Sequence, residues 1–142
     1  MKKNNILIAG IVLIGIVGTV LMMRNNDPAQ DEAPRLITVG VEEFARHIER
    51  DDVVVLDVRT PQEYAQGHIG NNTRNIDFYA ADFRAALNTL LPRNRPYAIY
   101  CRSGNRSART LSIMREMGFT DVVELRGGIE AWKQSQRPLS SE

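Results

Sequence analysis

Cysteine is nearly absent from this chain: Cys101 is the only one in 142 residues. A lone cysteine closes no internal disulfide, provides no cysteine-based metal spacing and leaves no second thiol to resolve a mixed disulfide. Net charge is also lacking, since 18 Lys and Arg face 17 Asp and Glu. That balance excludes a general affinity for nucleic acid. No internal repeat or low-complexity tract occurs, and a hydrophobic fraction of 43% is that of an ordinary globular chain. The length suits one domain of modest size plus an appendage. One absence is local. Between Asp82 and Glu116 there is no acidic residue, whereas Arg84, Arg93, Arg95, Arg102, Arg106, Arg109 and Arg115 all fall there. Such a basic half would steer anions towards its centre, unless acids from other segments, such as Glu42, Glu43 or Asp121, pair with the arginines.

At the centre of that interval lies Cys101-Arg102-Ser103-Gly104-Asn105-Arg106-Ser107. The apolar run 97–100 leads into it, and Ala108, Leu111, Ile113, Met114 and Met117 continue beyond it at helical spacing. The cysteine is therefore expected at the carboxyl end of a strand, in a short loop that opens a helix. Helix N-termini carry unpaired N–H groups and a partial positive charge, so the loop offers donors to an anion. The same field, with Arg102 and Arg106 beside it, favours a nucleophilic thiolate. A free cysteine is more often a small buried hydrophobe. Neighbours such as Arg, Ser, Gly and Asn, however, suit no apolar core unless paired.

Residues 6–23 run uncharged through Ile, Leu, Val, Gly and Met. As a helix this run is about 27 Å long, enough for a thin hydrocarbon core. No small-x-small cleavage site follows, and the lack of a cysteine just after the apolar run excludes a lipoprotein-type anchor. An uncleaved single-pass anchor is expected over residues 1–24, with a cleaved signal as the alternative. Lys2, Lys3 and the terminal amine outweigh Arg24, which leaves the amino end in the cytoplasm and the domain on the extracytoplasmic side. Residues 25–35 are polar, contain Pro28 and Pro34 and form a tether.

The domain spans residues 36–139. A short strand is expected at 36–39, followed by a helix over 41–50 whose apolar face holds Val41, Phe44, Ala45 and Ile48. His47 falls on the opposite, solvated side. The β-branched run 53–56 suits a strand buried on both faces and ends in Asp57-Val58-Arg59. Thr60, Pro61 and Glu63 form a capping box for a short helix that Gly67 stops. Asp57, at a strand end, is expected to bond loop N–H groups, while Arg59 and Glu63 have the option of a local ion pair. Asp77 is placed to cap a helix over about 79–91. Residues 122–125 form the last strand, Gly127-Gly128 turns the chain, and 129–134 form a final helix carrying Trp132 as a core anchor. Strands alternating with helices give an α/β fold, a parallel sheet with helices on both faces.

Four stretches resemble, in order, the motifs of rhodanese-like sulfurtransferases: Leu56-Asp57-Val58-Arg59 with Glu63-Tyr64, Gly67-His68-Ile69, the Cys101 loop, and Gly127-Gly128-Ile129-Glu130-Ala131-Trp132. The resemblance covers residues 36–138. It departs at Gly70-Asn71-Asn72-Thr73-Arg74, one residue longer than the usual pattern. It implies a central sheet of about five strands, Cys101 as the catalytic residue, and Arg102, Ser103, Gly104, Asn105, Arg106 and Ser107 holding substrate, with Asp57 and Arg59 in support. His68 then has a structural hydrogen bond rather than a general-base role. The implied reaction moves sulfane sulfur from thiosulfate or a similar small anionic donor to a thiol or cyanide acceptor through a Cys101 persulfide, with no metal or organic cofactor. Two rivals stand beside it. A cysteine phosphatase or arsenate reductase shares the cradle, but its loop has five residues between Cys and Arg, and this one has four. A membrane-tethered sulfur carrier or binding module would act on a protein partner instead.

Overall fold

The computed structural model describes residues 33–90 and 93–141. Its elements are β1 (Arg35–Val39), α1 (Val41–Ile48), β2 (Val54–Asp57), α2 (Pro61–Tyr64), β3 (Thr73–Asn75), α3 (Phe83–Leu90), β4 (Pro96–Tyr100), α4 (Asn105–Glu116), β5 (Asp121–Leu125) and α5 (Gly128–Gln134). The five strands form one sheet, all neighbours parallel, in the order β1-β5-β4-β2-β3. Among the described residues no helix is long and apolar enough to cross a membrane. The anchor expected at 6–23, and the tether up to residue 32, lie outside them.

Strand periodicity divides the core in two. Tyr97, Ile99 and Cys101 join Leu56, Leu87, Met114 and Val122 on one face, with α3 and α4. Ala98 and Tyr100 join Phe44, Val123, Leu125, Ile129 and Trp132 on the other, with α1 and α5. Side chains alternate along each strand, so two-sided burial needs the continuous apolar runs seen in β2, β4 and β5. Each fully buried large side chain contributes about 1.5–3 kcal/mol through its removal from water. Trp132 is an anchor, as expected: it packs edge-on against Phe44 at 6.3 Å and its indole N–H donates to the Pro138 carbonyl.

Two expectations need correction. His47 is buried, not solvated. It lies three residues after Phe44, at the flank of the buried stripe, so α1 buries a wider face than its aliphatic residues mark. Burial holds its imidazole below the ordinary value, although Asp121 pulls the other way. The helix expected from residue 79 begins at Phe83. Asp77 instead accepts the Tyr79 N–H in a turn, and Ala80 and Phe83 continue in successive turns. The extra length near Gly70 is absorbed in a tight turn where the Thr73 hydroxyl donates to the Ile69 carbonyl. The three polar residues of β3, which follow, carry no apolar signal of a strand.

Four motifs fold back to fix the end of β4. The Thr60–Glu63 capping box forms as expected. Asp57 and Arg59 make a buried ion pair at 2.5 Å, and Arg59 also donates to the Gly67 carbonyl. His68 stacks on Tyr64 at 4.5 Å and its Nδ1 meets the Gly70 carbonyl at 2.8 Å. Glu63 reaches across to Arg106 with two contacts of 2.7 and 2.8 Å. The start of α5 meets the Cys101 loop backbone to backbone: Ile129 N–H donates to the Cys101 carbonyl at 2.9 Å and Glu130 N–H to that of Arg102 at 3.1 Å. This approach needs glycine at 128, where φ is +60° and a Cβ would stand 2.5 Å from the Arg102 carbonyl oxygen.

Gly128→Ala should therefore lower stability by roughly 2–4 kcal/mol, from left-handed strain plus overpacking, measured by urea unfolding. A loss below about 1 kcal/mol would mean that the clamp yields. The Glu63–Arg106 pair predicts an acid effect. The hydrogen bond from Arg106 holds the Glu63 carboxyl down at about 2, against an ordinary 4.5. A carboxylate depressed on folding stabilises the fold above its ordinary value, and that contribution fades as pH falls towards the lowered one. Glu63→Gln, which keeps the capping box, should cost about 1 kcal/mol at neutral pH for this partly exposed pair. The difference from the parent should vanish between about pH 4.5 and 2.

Candidate functional site

Cys101 follows directly on β4, with neighbouring strand ends on both sides. Its carbonyl and that of Arg102 are taken by α5, so the chain must turn at once into α4. Gly104 makes that turn with φ +100°, as the N-cap of α4, and no side chain caps the helix. The Gly104 N–H donates to Cys101 Sγ at 3.1 Å. Among the described residues no acceptor meets the N–H groups of Asn105, Arg106 and Ser107, the first turn of α4. Those amides and the helix dipole form a positive end beside the sulfur. Cys101 as a whole is 1% exposed and belongs to the apolar cluster under α4.

Ser107 is also fully buried. Its hydroxyl oxygen lies 3.4 Å from Cys101 Sγ, 3.1 Å from the Gly104 carbonyl and 2.6 Å from Glu124 Oε1. Glu124, on β5, is 1% exposed and forms no ion pair among the described residues. The sequence contained a signal for it: a carboxylate inside the run Val122-Val123-Glu124-Leu125 requires a partner once buried.

Arg106 is bound bidentately by Glu63 and lies 5.6 Å from the ring of Tyr79, the most exposed aromatic side chain described. The Glu63 contact raises its pKa, and charge on Cys101 adds to the rise. Arg102 is exposed and its Nε donates to Glu130 at 2.7 Å, which fastens the loop to α5. Ser103 and Asn105 are exposed on the loop. Arg84 pairs with Glu116, while Arg109 lies over the Phe78 ring. The basic half is thus partly neutralised by Glu63, Glu116 and Glu130 rather than by Glu42, Glu43 or Asp121.

Among the described residues no hydrogen bond or ion pair joins the Asp57 or Arg59 side chain to the loop 101–107. Asp57 accepts from the N–H and guanidinium of Arg59, which is two residues away and carries the stronger, charged donors. This replaces the expected bonds to loop N–H groups. Both act one strand away: Asp57 is in register with Tyr100, the residue before the cysteine. Burial and the Asp57 charge push the Tyr100 phenol up, and its oxygen accepts the Ile69 N–H at 2.9 Å. Among the described residues no three His, Cys, Asp or Glu side chains converge to hold a metal ion.

Comparisons with known proteins place the chain in a family. A profile of the rhodanese-like domain matches residues 40–135. A sulfurtransferase of Allochromatium vinosum is 35% identical over 94 residues, covering 66% of this chain and 84% of the relative. The thiosulfate sulfurtransferase GlpE of Pseudomonas paraeruginosa is 37% identical over 92 residues, covering 64% and 79%. Among solved structures, a rhodanese-related protein from Thermoplasma volcanium superposes with a TM-score of 0.61 at 30% identity, covering 74% of this chain and 98% of that one. From its loop, its fold and these relatives, the chain belongs to the rhodanese-like family of sulfurtransferases.

Proposed function

We propose that the protein transfers sulfane sulfur from thiosulfate, or an anion like it, to a thiophilic acceptor through a persulfide on Cys101. The observation that carries this reading is the Gly104 N–H on Sγ at 3.1 Å beside the unbonded amides of the first turn of α4. The Cys101 thiolate attacks the outer sulfur of thiosulfate. Its S–S bond breaks, sulfite leaves with the electron pair, and a Cys101–S–S⁻ persulfide remains. The amides of Asn105, Arg106 and Ser107 hold the charged terminal sulfur as an oxyanion hole holds oxygen. Cyanide or a thiol then attacks that sulfur and restores the thiolate. Thiosulfate is the donor named for the Pseudomonas relative, and Arg102, exposed and held only by a surface carboxylate, is free to exchange Glu130 for the donor. Four residues between Cys101 and Arg106 suit a single sulfur better than a tetrahedral phosphate or arsenate.

The near-complete burial of Cys101 favours a second reading, a sulfur carrier whose protein partner shifts the loop. We also propose that residues 6–23 anchor the chain in a membrane with the domain on the extracytoplasmic side, on the hydropathy and charge asymmetry of the amino-terminal sequence.

After treatment with thiosulfate, the peptide containing Cys101 should gain one sulfur by mass spectrometry, and Cys101→Ser should abolish both the gain and thiocyanate formation. An unmodified peptide would end the thiosulfate reading; loading only from a thiol protein would select the carrier. In cell fractionation the full chain should sediment with membranes, and external protease should digest the domain in spheroplasts. Recovery in the soluble fraction would remove the anchor.

A further inference from the structure

We propose that Glu124 is a positioning residue for the sulfur chemistry, acting through Ser107 as the far end of a buried proton relay to Cys101. The proposal builds on the sulfur-transfer reading and adds a place for the thiol proton.

A serine hydroxyl has one proton to donate and two lone pairs. Ser107 faces three acceptors, and the shortest contact, 2.6 Å, is to the Glu124 carboxylate. With Glu124 ionised, the charge-assisted bond takes that proton. The Gly104 carbonyl has its own donor, the Ala108 N–H at 2.9 Å. The hydroxyl oxygen then presents a lone pair to the sulfur, and Cys101 must donate its S–H to Ser107. When the S–H bond breaks, its proton passes to Ser107 Oγ, the Ser107 O–H proton passes to Glu124 Oε1, and the electron pair stays on sulfur. In the second arrangement the carboxylic acid donates to Ser107, and the Ser107 hydroxyl donates to the thiolate alongside the Gly104 N–H. One negative charge is buried in either arrangement, so the exchange adds no further desolvation of charge. Once the acceptor has removed the terminal sulfur, the reverse transfer can reprotonate the thiolate.

The surroundings leave Glu124 to this task. Residues 122 and 124 share the face of β5 that packs under α4 with Cys101. The cations of the elements packed there are otherwise engaged: Arg106 by Glu63, Arg109 over Phe78, Arg115 by the Leu36 carbonyl and Arg35 on β1 by Glu43. His47 of α1 lies near Asp121, at the other end of β5.

The test uses the full chain and reads the thiol alone. The rate of alkylation of Cys101 by iodoacetamide is followed from weakly acidic to weakly alkaline pH. Two coupled groups release their protons in two macroscopic steps. The parent should therefore rise in two steps with a plateau between, and Glu124→Gln should show one step with the plateau lost. A purely structural role would scale the rate without changing the profile's shape, and profiles of equal shape would overturn the relay. Should Glu124→Gln fail to fold, a second variant answers in the same assay. Ser107→Ala, which removes the hydroxyl between the carboxylate and the sulfur, should likewise lose the plateau, and a two-step profile unchanged in shape would also overturn the relay. Neither measurement needs sulfur transfer, so the persulfide experiment and this one fail independently.

Discussion

The constraint on which the site depends is a helix that begins without a cap. A helix start normally satisfies its first N–H groups with a side-chain oxygen, which stabilises it by about 1 kcal/mol. Here Gly104 occupies the N-cap and supplies no such oxygen. The amides of Asn105, Arg106 and Ser107 are left for an anion that the chain does not itself provide. A loop in that state tends to relax towards any conformation in which its amides find partners. The rest of the structure prevents this.

Restraint comes from both flanks and from beneath. On one flank α5 takes the carbonyls of Cys101 and Arg102, and its approach is close enough to demand glycine at 128. On the other, Glu63, itself fixed by Thr60 in a capping box, grips Arg106 through both guanidinium NH₂ groups. Beneath, Val58 N–H donates to the Tyr100 carbonyl, and the buried Asp57–Arg59 pair stiffens the segment that carries Val58. A buried ion pair is weak evidence for net stability, because desolvation opposes its attraction. Its effect here is to fix the path of residues 57–67, from which Glu63 projects.

Much of this was legible in the sequence because it rests on local rules. Apolar runs located four of the five strands, turn chemistry located the capping box, and the loop's polar composition set Cys101 apart from an inert core thiol. What was not legible depends on tertiary proximity. Arg59 and Glu63 stood equally well as partners of each other, and only the fold, which brings the start of α4 within side-chain reach of α2, sends Glu63 to Arg106 instead. Gly127-Gly128 reads locally as a turn, yet its function is a contact with a loop 26 residues earlier, which no periodicity encodes. β3 escaped notice because an edge strand of Thr-Arg-Asn buries little. His47 was misplaced because the width of a buried helix face is set by the neighbouring strands.

The pairing of the arginines changes which groups do the electrostatic work. Read along the chain, the stretch without acids implied that full charges draw in the anion and hold it. In the fold, Arg106 is bound bidentately by Glu63 and Arg102 only by the exposed Glu130, so the groups beside Sγ that meet an anion without breaking an ion pair are backbone amides. Dipoles fixed in place are suited to a site where charge appears on sulfur and then departs, because they need no reorganisation at each step. The relay proposed for Glu124 belongs to the same economy of charge: with the cations engaged elsewhere, the buried carboxylate meets the sulfur only through the Ser107 hydroxyl that lies between them.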